Sequence, residues 1–193
     1  MARVNVSEKL IQSGLQTLYA NGFNASSVQD ITAAAGVPKG SFYNHFASKE
    51  DFGVVAVQRY SQVLSPTLQI LHDQNIAPLK RLHLFYSELI TLLEDQDCQR
   101  GCLLGNFGGE LSAQYPSIRD SVSQVFESWS ALLSDAILEA QQNGSVTSSL
   151  TSDVLATFIL NAWQGAAMRA KVEQSRAPLD AFIEVVFSRI LVS

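Results

Sequence analysis

Two cysteines, Cys98 and Cys102, and three histidines, His45, His72 and His83, are the side chains of this 193-residue chain best suited to nucleophilic or metal chemistry. Their spacing argues against both. The cysteines stand four positions apart with no further Cys or His beside them, which does not match a zinc framework. The histidines lie in separate segments without an oxyanion or metal signature, so catalysis through Cys102 and a histidine has no support. The chain is expected not to be an enzyme, with no catalytic residue, metal or cofactor. Two readings remain for Cys102. It follows Arg100 by two residues and precedes an apolar helical run, where the positive end of a helix would favour its thiolate; alternatively it packs as a small hydrophobe. Cys98, in a polar linker, is expected to be a resolving partner for Cys102 or an exposed passive thiol.

Recognition chemistry is better represented. One segment runs Pro38-Lys39-Gly40-Ser41-Phe42-Tyr43-Asn44-His45-Phe46. Lys39, Gly40, Ser41, Tyr43 and Asn44 give a helix whose side chains are short near its start and absent at Gly40, which permits close approach to base edges in a DNA groove. At helical spacing Phe42 and Phe46 fall on another face, the one that Leu15 and Ile31 would cover.

Such a segment needs a scaffold, and the flanking pattern supplies one. Leu10, Ile11, Leu15, Leu18 and Tyr19 recur at three- and four-residue spacings from Ser7 to Ala20, and Asn21-Gly22 stops that helix. Ser26 with Gln29 three positions on reads as a capping box opening a short helix, Val28–Ala35, which Gly36 ends. Pro38, favoured at a first helical position, begins a third helix reaching about Asn44. Two short helices around a Gly-containing turn are the pattern of a helix-turn-helix. Ala33, Ala34 and Ala35 would let those helices approach, and Val37 would tuck behind the turn. Ser48-Lys49-Glu50 then starts a long fourth helix toward His72, with a bend expected at Pro66, and no linker follows the head. Further helices are expected over Pro78–Glu94, Leu103–Leu111, Ser117–Asn143, Thr151–Ser175 and Pro178–Leu191. The reading is all-α with about nine helices, a three-helix head over residues 1–49 and a larger helical body over residues 50–193.

Composition sets limits on partners. At 47% hydrophobic the chain can bury a core. Its longest apolar runs, such as Val54–Val57 and Ala181–Phe187, fall well short of the roughly 20 residues of a membrane span. The N-terminal residues lack the apolar stretch of a secretory signal, so a cytoplasmic protein with no membrane partner is expected. The net charge of −5 argues against indiscriminate coating of nucleic acid. Residues 1–53 balance Arg3, Lys9, Lys39 and Lys49 against Glu8, Asp30, Glu50 and Asp51, so the negative excess lies in the remaining residues. A DNA-binding head without net positive charge implies moderate affinity and a small salt dependence.

Over this region the sequence resembles the TetR family of transcriptional regulators: Gly22-Phe23, Ser26 through Ile31, Ala35 through Tyr43, His45-Phe46 and Ser48-Lys49-Glu50 match its head pattern. The resemblance implies a homodimer whose two heads enter successive major grooves of a partly palindromic double-stranded operator, the body holding a small-molecule inducer. It implies base or groove contact by Gln29, Lys39, Gly40, Ser41 and Tyr43, phosphate contact by Ser26, Ser27, His45 and Lys49, and a DNA-binding surface that also includes Pro38 and Asn44. Each assignment has a plainer rival: Gln29 as a solvated helix side chain, the lysines as surface lysines, His45 as a helix cap. The expected function is a repressor released from its operator by a small apolar or electrophilic molecule. The alternative is a thiol-based sensor acting through Cys102.

In the body, Arg100-Gly101-Cys102-Leu103-Leu104-Gly105-Asn106 with Glu110-Leu111, and the later Ala162-Trp163-Gln164-Gly165-Ala166 with Ala170-Lys171, resemble the TetR subgroup that includes the N-ethylmaleimide-reductase repressor. Phe85, Leu89, Cys102, Phe107, Phe126, Trp129 and Trp163 are candidate pocket walls, each equally suited to plain core. Gly108-Gly109 weakens its helix and suggests a hinge. Phe158, Trp163, Ala166, Ala167, Ile183, Val186, Phe187 and Ile190 are candidates for the dimer interface.

Overall fold

The computed structural model describes residues 5–192; Arg3, one of the basic residues of the head, lies outside them. Among the described residues every regular element is helical and no strand occurs. The helices are α1 (Val6–Asn21), α2 (Val28–Ala34), α3 (Gly40–Tyr43), α4 (Lys49–Val63), α5 (Ser65–Gln69), α6 (Pro78–Glu94), α7 (Leu103–Leu111), α8 (Pro116–Gln142), α9 (Ser152–Glu173) and α10 (Ala177–Val185). A 3-10 turn, Ile70–His72, follows α5, and a π turn, Val186–Ile190, follows α10.

The all-α expectation holds, with one helix more than the nine expected. The long fourth helix divides: α4 ends at Val63, and α5 begins after Leu64 with Pro66 in its first turn. Proline has no N–H to donate to Gln62 four residues back, so the helix stops and restarts instead of bending. A second difference lies at the start of α2. Its N-cap is Ser27, whose hydroxyl accepts from the Asp30 N–H while the Asp30 carboxylate accepts from the Ser27 N–H at 2.7 Å. The capping box therefore sits one residue later than Ser26 and Gln29.

Two compact units emerge from the packing. The first holds the described residues up to Val63 together with Leu103–Val125; the second holds Leu64–Cys102 and the residues from Phe126 onward. This grouping differs from a division at residue 49, because α4, α7 and the first part of α8 pack with α1 to α3.

The first unit is built around aromatic side chains. Phe42, Phe46 and Phe52 lie with ring centroids 4.9 to 5.5 Å apart, and Ile31, Phe42 and Phe52 are wholly buried. Gly14 of α1 makes this cluster possible: a Cβ there would lie 2.3 Å from Phe52 Cζ and 2.9 Å from Ile31 Cγ2. Arg59 of α4 forms a two-pronged ion pair with Glu8 of α1.

In the second unit, the buried Arg81 donates through Nη1 to the Leu71 carbonyl at 2.7 Å and pairs through Nη2 with Glu139. Tyr86, Trp163 and Phe182 form an aromatic cluster with centroids 4.9 to 5.5 Å apart. Arg176 reaches Glu94 at the end of α6 and Asp180 in α10.

Packing at Gly14 gives a stability prediction. Replacing Gly14 by Ala gains about 1 kcal/mol of helix propensity, but overpacking against a rigid ring costs about 1–3 kcal/mol. Gly14→Ala is expected to melt at lower temperature than wild type. Gly109→Ala, placed in open space on α7, is expected to melt at the same or a higher temperature. Thermal unfolding followed by near-ultraviolet circular dichroism checks this; equal midpoints for the two variants would remove Gly14 as a packing constraint.

Candidate functional site

The helix-turn-helix geometry follows from local chemistry. At the end of α2 the N–H of Val37 donates to the Thr32 carbonyl and that of Gly36 to the Ala33 carbonyl, both at 3.0 Å. Gly36 takes a φ of +65°, a backbone that other residues adopt at a cost. The chain then turns through Pro38, whose carbonyl accepts from the Ser41 N–H at 2.9 Å to start α3. Phe42 enters the core from α3, which fixes the opposite face outward.

That outward face carries most of the sequence-predicted contacts. Pro38, Lys39, Gly40, Asn44 and His45 are exposed, Tyr43 is 56% exposed and Ser41 is half-buried. Gln29 is exposed on the first turn of α2, and Ser27 is exposed while serving as its cap. A short helix bearing one lysine, one phenol and small polar groups on a rigid aromatic floor has the dimensions of a groove reader.

Two expected phosphate contacts point inward. Ser26 is 1% exposed, and its hydroxyl donates to the Gly22 carbonyl at 2.7 Å, closing the turn between α1 and α2. Its role is internal. Lys49 is half-buried: Nζ donates to the Phe23 carbonyl at 2.6 Å and lies 4.3 Å from the centroid of the Phe23 ring. Burial pulls its ammonium below the usual lysine range, while the carboxylates of Glu110 and Asp30 oppose that shift. A serine or lysine beside a helix start reads as exposed until the partner carbonyl is known.

The sequence-predicted pocket residues do not all come together. Phe107 belongs to the first unit, where its ring meets Phe23 edge-on at 5.8 Å. Phe85, Leu89, Cys102, Trp129 and Trp163 are buried in the second unit, and Phe126 there is half-buried. Helix α7 runs unbroken through Gly108 and Gly109. Cys98 is buried, not exposed; burial first, then the nearby Glu94 and Asp97 carboxylates, push its thiol above the usual cysteine range. Cys102 is 7% exposed at the entrance to α7, and neither cysteine is in a disulfide.

Residues that sequence reasoning missed include Tyr86, Trp129 as a polar group, and Gln164. The Tyr86 hydroxyl, the Trp129 indole N–H and both amide atoms of Gln164 are buried without a hydrogen-bond partner. Desolvation pushes the Tyr86 phenol far above its ordinary range. Helical spacing marks these side chains as core; it gives no signal that their polar atoms lack partners. Glu110 was seen only as part of a motif.

On the outer side of α9 and α10, Phe158, Met168, Val172 and Val185 are exposed. A groove of about 290 Å³ lies between these helices, lined by Phe158, Ala162, Ala166, Arg169, Pro178 and Val185 among others. Of the expected dimer residues, Trp163, Ala166, Ala167 and Val186 are buried instead. Among the described residues no group of His, Cys, Asp and Glu is placed to hold a metal ion, and no helix is long and apolar enough to cross a membrane.

Comparison with known proteins extends these observations. Residues 10–52 match the family model for bacterial regulatory proteins of the tetR family, and residues 78–186 match the tetracyclin repressor-like C-terminal domain. The HTH-type transcriptional repressor DhaR of Mycobacterium sp. (strain GP1) is 43% identical over 194 residues, covering 100% of this chain and 96% of that protein. The transcriptional regulator AcuR of Cereibacter sphaeroides is 36% identical, covering 91% of this chain and 80% of AcuR. Among solved structures, the regulatory protein TetR of Rhodobacter sphaeroides superposes with a TM-score of 0.88 at 34% identity, covering 93% of this chain and 96% of that one. The reduced form of Escherichia coli NemR gives 0.84 at 27% identity, covering 98% of each chain.

The capping box gives the site a pH dependence. Hydrogen bonds from the Ser27 hydroxyl and N–H hold the Asp30 carboxyl below the usual aspartate range. A depressed carboxylate stabilises the fold fully above its unfolded value, about 3.9, and that contribution is lost as pH falls through the folded value. Acid unfolding followed between about pH 5 and pH 2 should therefore contain a component that Asp30→Asn lacks. Superimposable acid-unfolding curves for the two proteins would contradict this role for Asp30.

Proposed function

Because the chain belongs to the TetR family of bacterial regulatory proteins, which are DNA-binding regulators of transcription and not enzymes, we propose that it is a cytoplasmic repressor released from a palindromic operator by a small molecule. The observation that carries this reading is the exposed face of α3, held outward by the burial of Phe42 against Phe46 and Phe52. Lys39 neutralises a phosphate or reaches guanine, Tyr43 meets a phosphate or a thymine methyl, and Gln29, Ser41, Asn44 and His45 complete the contact. Pro38 and Gly40 contribute shape, since neither holds bulk between the helix and the groove.

Two such heads require a two-fold dimer, and the exposed apolar side chains of α9 and α10 suit it. A self-complementary face with a groove beside a protruding Phe158 lets two copies interlock. The inducer is assigned to the second unit. Its unpartnered Tyr86 hydroxyl and Trp129 N–H favour an apolar molecule carrying at least one hydrogen-bond acceptor.

A second reading rests on Cys102. The Lys171 stem packs over Gly101, the residue before that cysteine, and α7 begins directly after it. In this reading an electrophile alkylates Cys102 and the modification itself releases DNA, without a reversible ligand.

Mobility shifts with DNA from upstream of the gene test the operator reading. Lys39→Ala and Tyr43→Ala are expected to weaken binding about tenfold or more, and Lys39→Ala to reduce the salt slope by about one per head, with helical content unchanged. Full affinity in both variants would refute the assignment of α3. For the thiol reading the probe is N-ethylmaleimide: it should release wild-type protein from the operator and leave Cys102→Ser bound. Equal release of both proteins would remove Cys102 as the sensor, and no release of wild type would leave the reversible ligand as the trigger.

A further inference from the structure

The turn between α1 and α2 is held by a residue from far along the chain. Glu110, in the last turn of α7, accepts from the N–H of Asn24 at 2.6 Å and from the N–H of Phe23 at 3.2 Å. The Phe23 carbonyl accepts from Lys49 of α4, and the Phe23 ring packs edge-on against Phe107 of α7 and Tyr115. Phe23 is thus fixed at its N–H, its carbonyl and its ring, with α4 and α7 as the two anchors. Local packing leaves little slack: a Cβ on Gly53 would lie 2.8 Å from the Phe23 ring and 2.6 Å from Ile118.

Two N–H groups converging on one carboxylate are charge-assisted and directional. They define the angle between the turn and α7 as well as their separation. The recognition helix α3 is mounted on α1, α2 and α4, so whatever fixes the turn on α7 fixes α3 on α7. Helix α7 starts at Leu103, where the chain leaves the second unit.

We propose that Glu110 is a positioning residue for DNA binding: by gripping the Phe23 and Asn24 amides it sets the orientation of α3 on α7, and with it the half-site spacing that the dimer accepts. This rests on the operator reading above. Glu110 makes no DNA contact in this role and acts only through the turn. Loss of the grip leaves the groove-reading surface intact but lets each head swivel, so an operator of the correct spacing loses affinity while one of altered spacing loses less.

The test uses the full-length protein with Glu110→Ala and Glu110→Gln. Amide hydrogen exchange is read at Phe23 and Asn24, and binding is read on the footprinted operator and on a version with one base pair inserted at its centre. In Glu110→Ala, exchange at the two amides should quicken roughly ten- to a hundredfold, the range of a hydrogen bond to a charged group, with the middle of α1 unchanged. Glu110→Gln, which keeps one carbonyl acceptor, should fall between. The ratio of affinities for the two operators should drop toward one in Glu110→Ala and recover partly in Glu110→Gln. Should Glu110→Ala fail to fold, the Gln variant alone decides. Unchanged exchange at both amides overturns the grip. Faster exchange with an unchanged affinity ratio reduces Glu110 to a structural cap and overturns the positioning role. If wild-type protein binds no upstream DNA, the operator reading fails, and the exchange result still reports on the grip separately.

Discussion

Any turn between two helices leaves backbone N–H groups that neither helix can satisfy, and in this chain those of Phe23 and Asn24 are satisfied by a carboxylate 87 and 86 residues away. The consequence spreads through the first unit. Because Glu110 belongs to α7, the turn cannot be completed by the head's own sequence. The Phe23 ring then becomes the surface on which Phe107, Tyr115 and the ammonium of Lys49 converge. This explains why the compact unit containing the helix-turn-helix also contains Leu103–Val125. A head that ended at residue 49 would uncover this aromatic side chain and leave the Phe23 and Asn24 N–H groups without their carboxylate partner.

The same interaction bears on the charge of the recognition surface. Four basic residues precede residue 54, balanced by four acidic ones. With Lys49 engaged by Phe23, the lysines facing outward from the head's described residues are Lys9 and Lys39. Counterion release scales with the number of phosphates neutralised, so few exposed cations mean weak attraction to arbitrary DNA. On the operator reading proposed above, selectivity then comes from shape and hydrogen bonding along α3, which is what short side chains on a rigid floor can provide. Restricting the salt-dependent component raises the share of affinity that depends on sequence. Rigidity matters more under those conditions, because a head with little general attraction gains from meeting the groove in one orientation.

Much of this architecture was legible in the sequence, for identifiable reasons. The bounds of α6 and α7 follow directly from apolar periodicity with Pro78 and the Arg100-Gly101 turn as punctuation, and the helix-turn-helix follows from the Gly36-Val37-Pro38 signal. What failed were choices between neighbouring residues of similar chemistry. Ser26 and Ser27 are both competent N-caps, and only the inward hydroxyl bond of Ser26 to Gly22 decides between them. Pro66 announced a bend, whereas the chain breaks there between α4 and α5. Glu110 carried no local signal at all, since its partners are backbone amides, which have no sequence identity. Long-range side-chain-to-backbone contacts are the class of interaction that residue types and spacing cannot encode.

The second unit shows a different relation between burial and function. Its core places a guanidinium, a phenol, an indole N–H and a carboxamide out of contact with solvent, and only Arg81 has partners for part of its hydrogen-bonding capacity. Each buried polar atom without a partner costs about 1–3 kcal/mol relative to a satisfied one. A core selected for stability alone would place Phe at 86 and Leu or Met at 164. On the inducer reading proposed above, a molecule that supplied the partners missing at Tyr86 and Gln164 would recover that difference on binding. Ligand affinity for a regulator is coupled to conformation only through such differences between states. On that reading the polar atoms of this core would discriminate one state of the protein from another better than its aromatic side chains, because an apolar surface is covered almost as well by neighbouring side chains as by a ligand, whereas a directional donor is not.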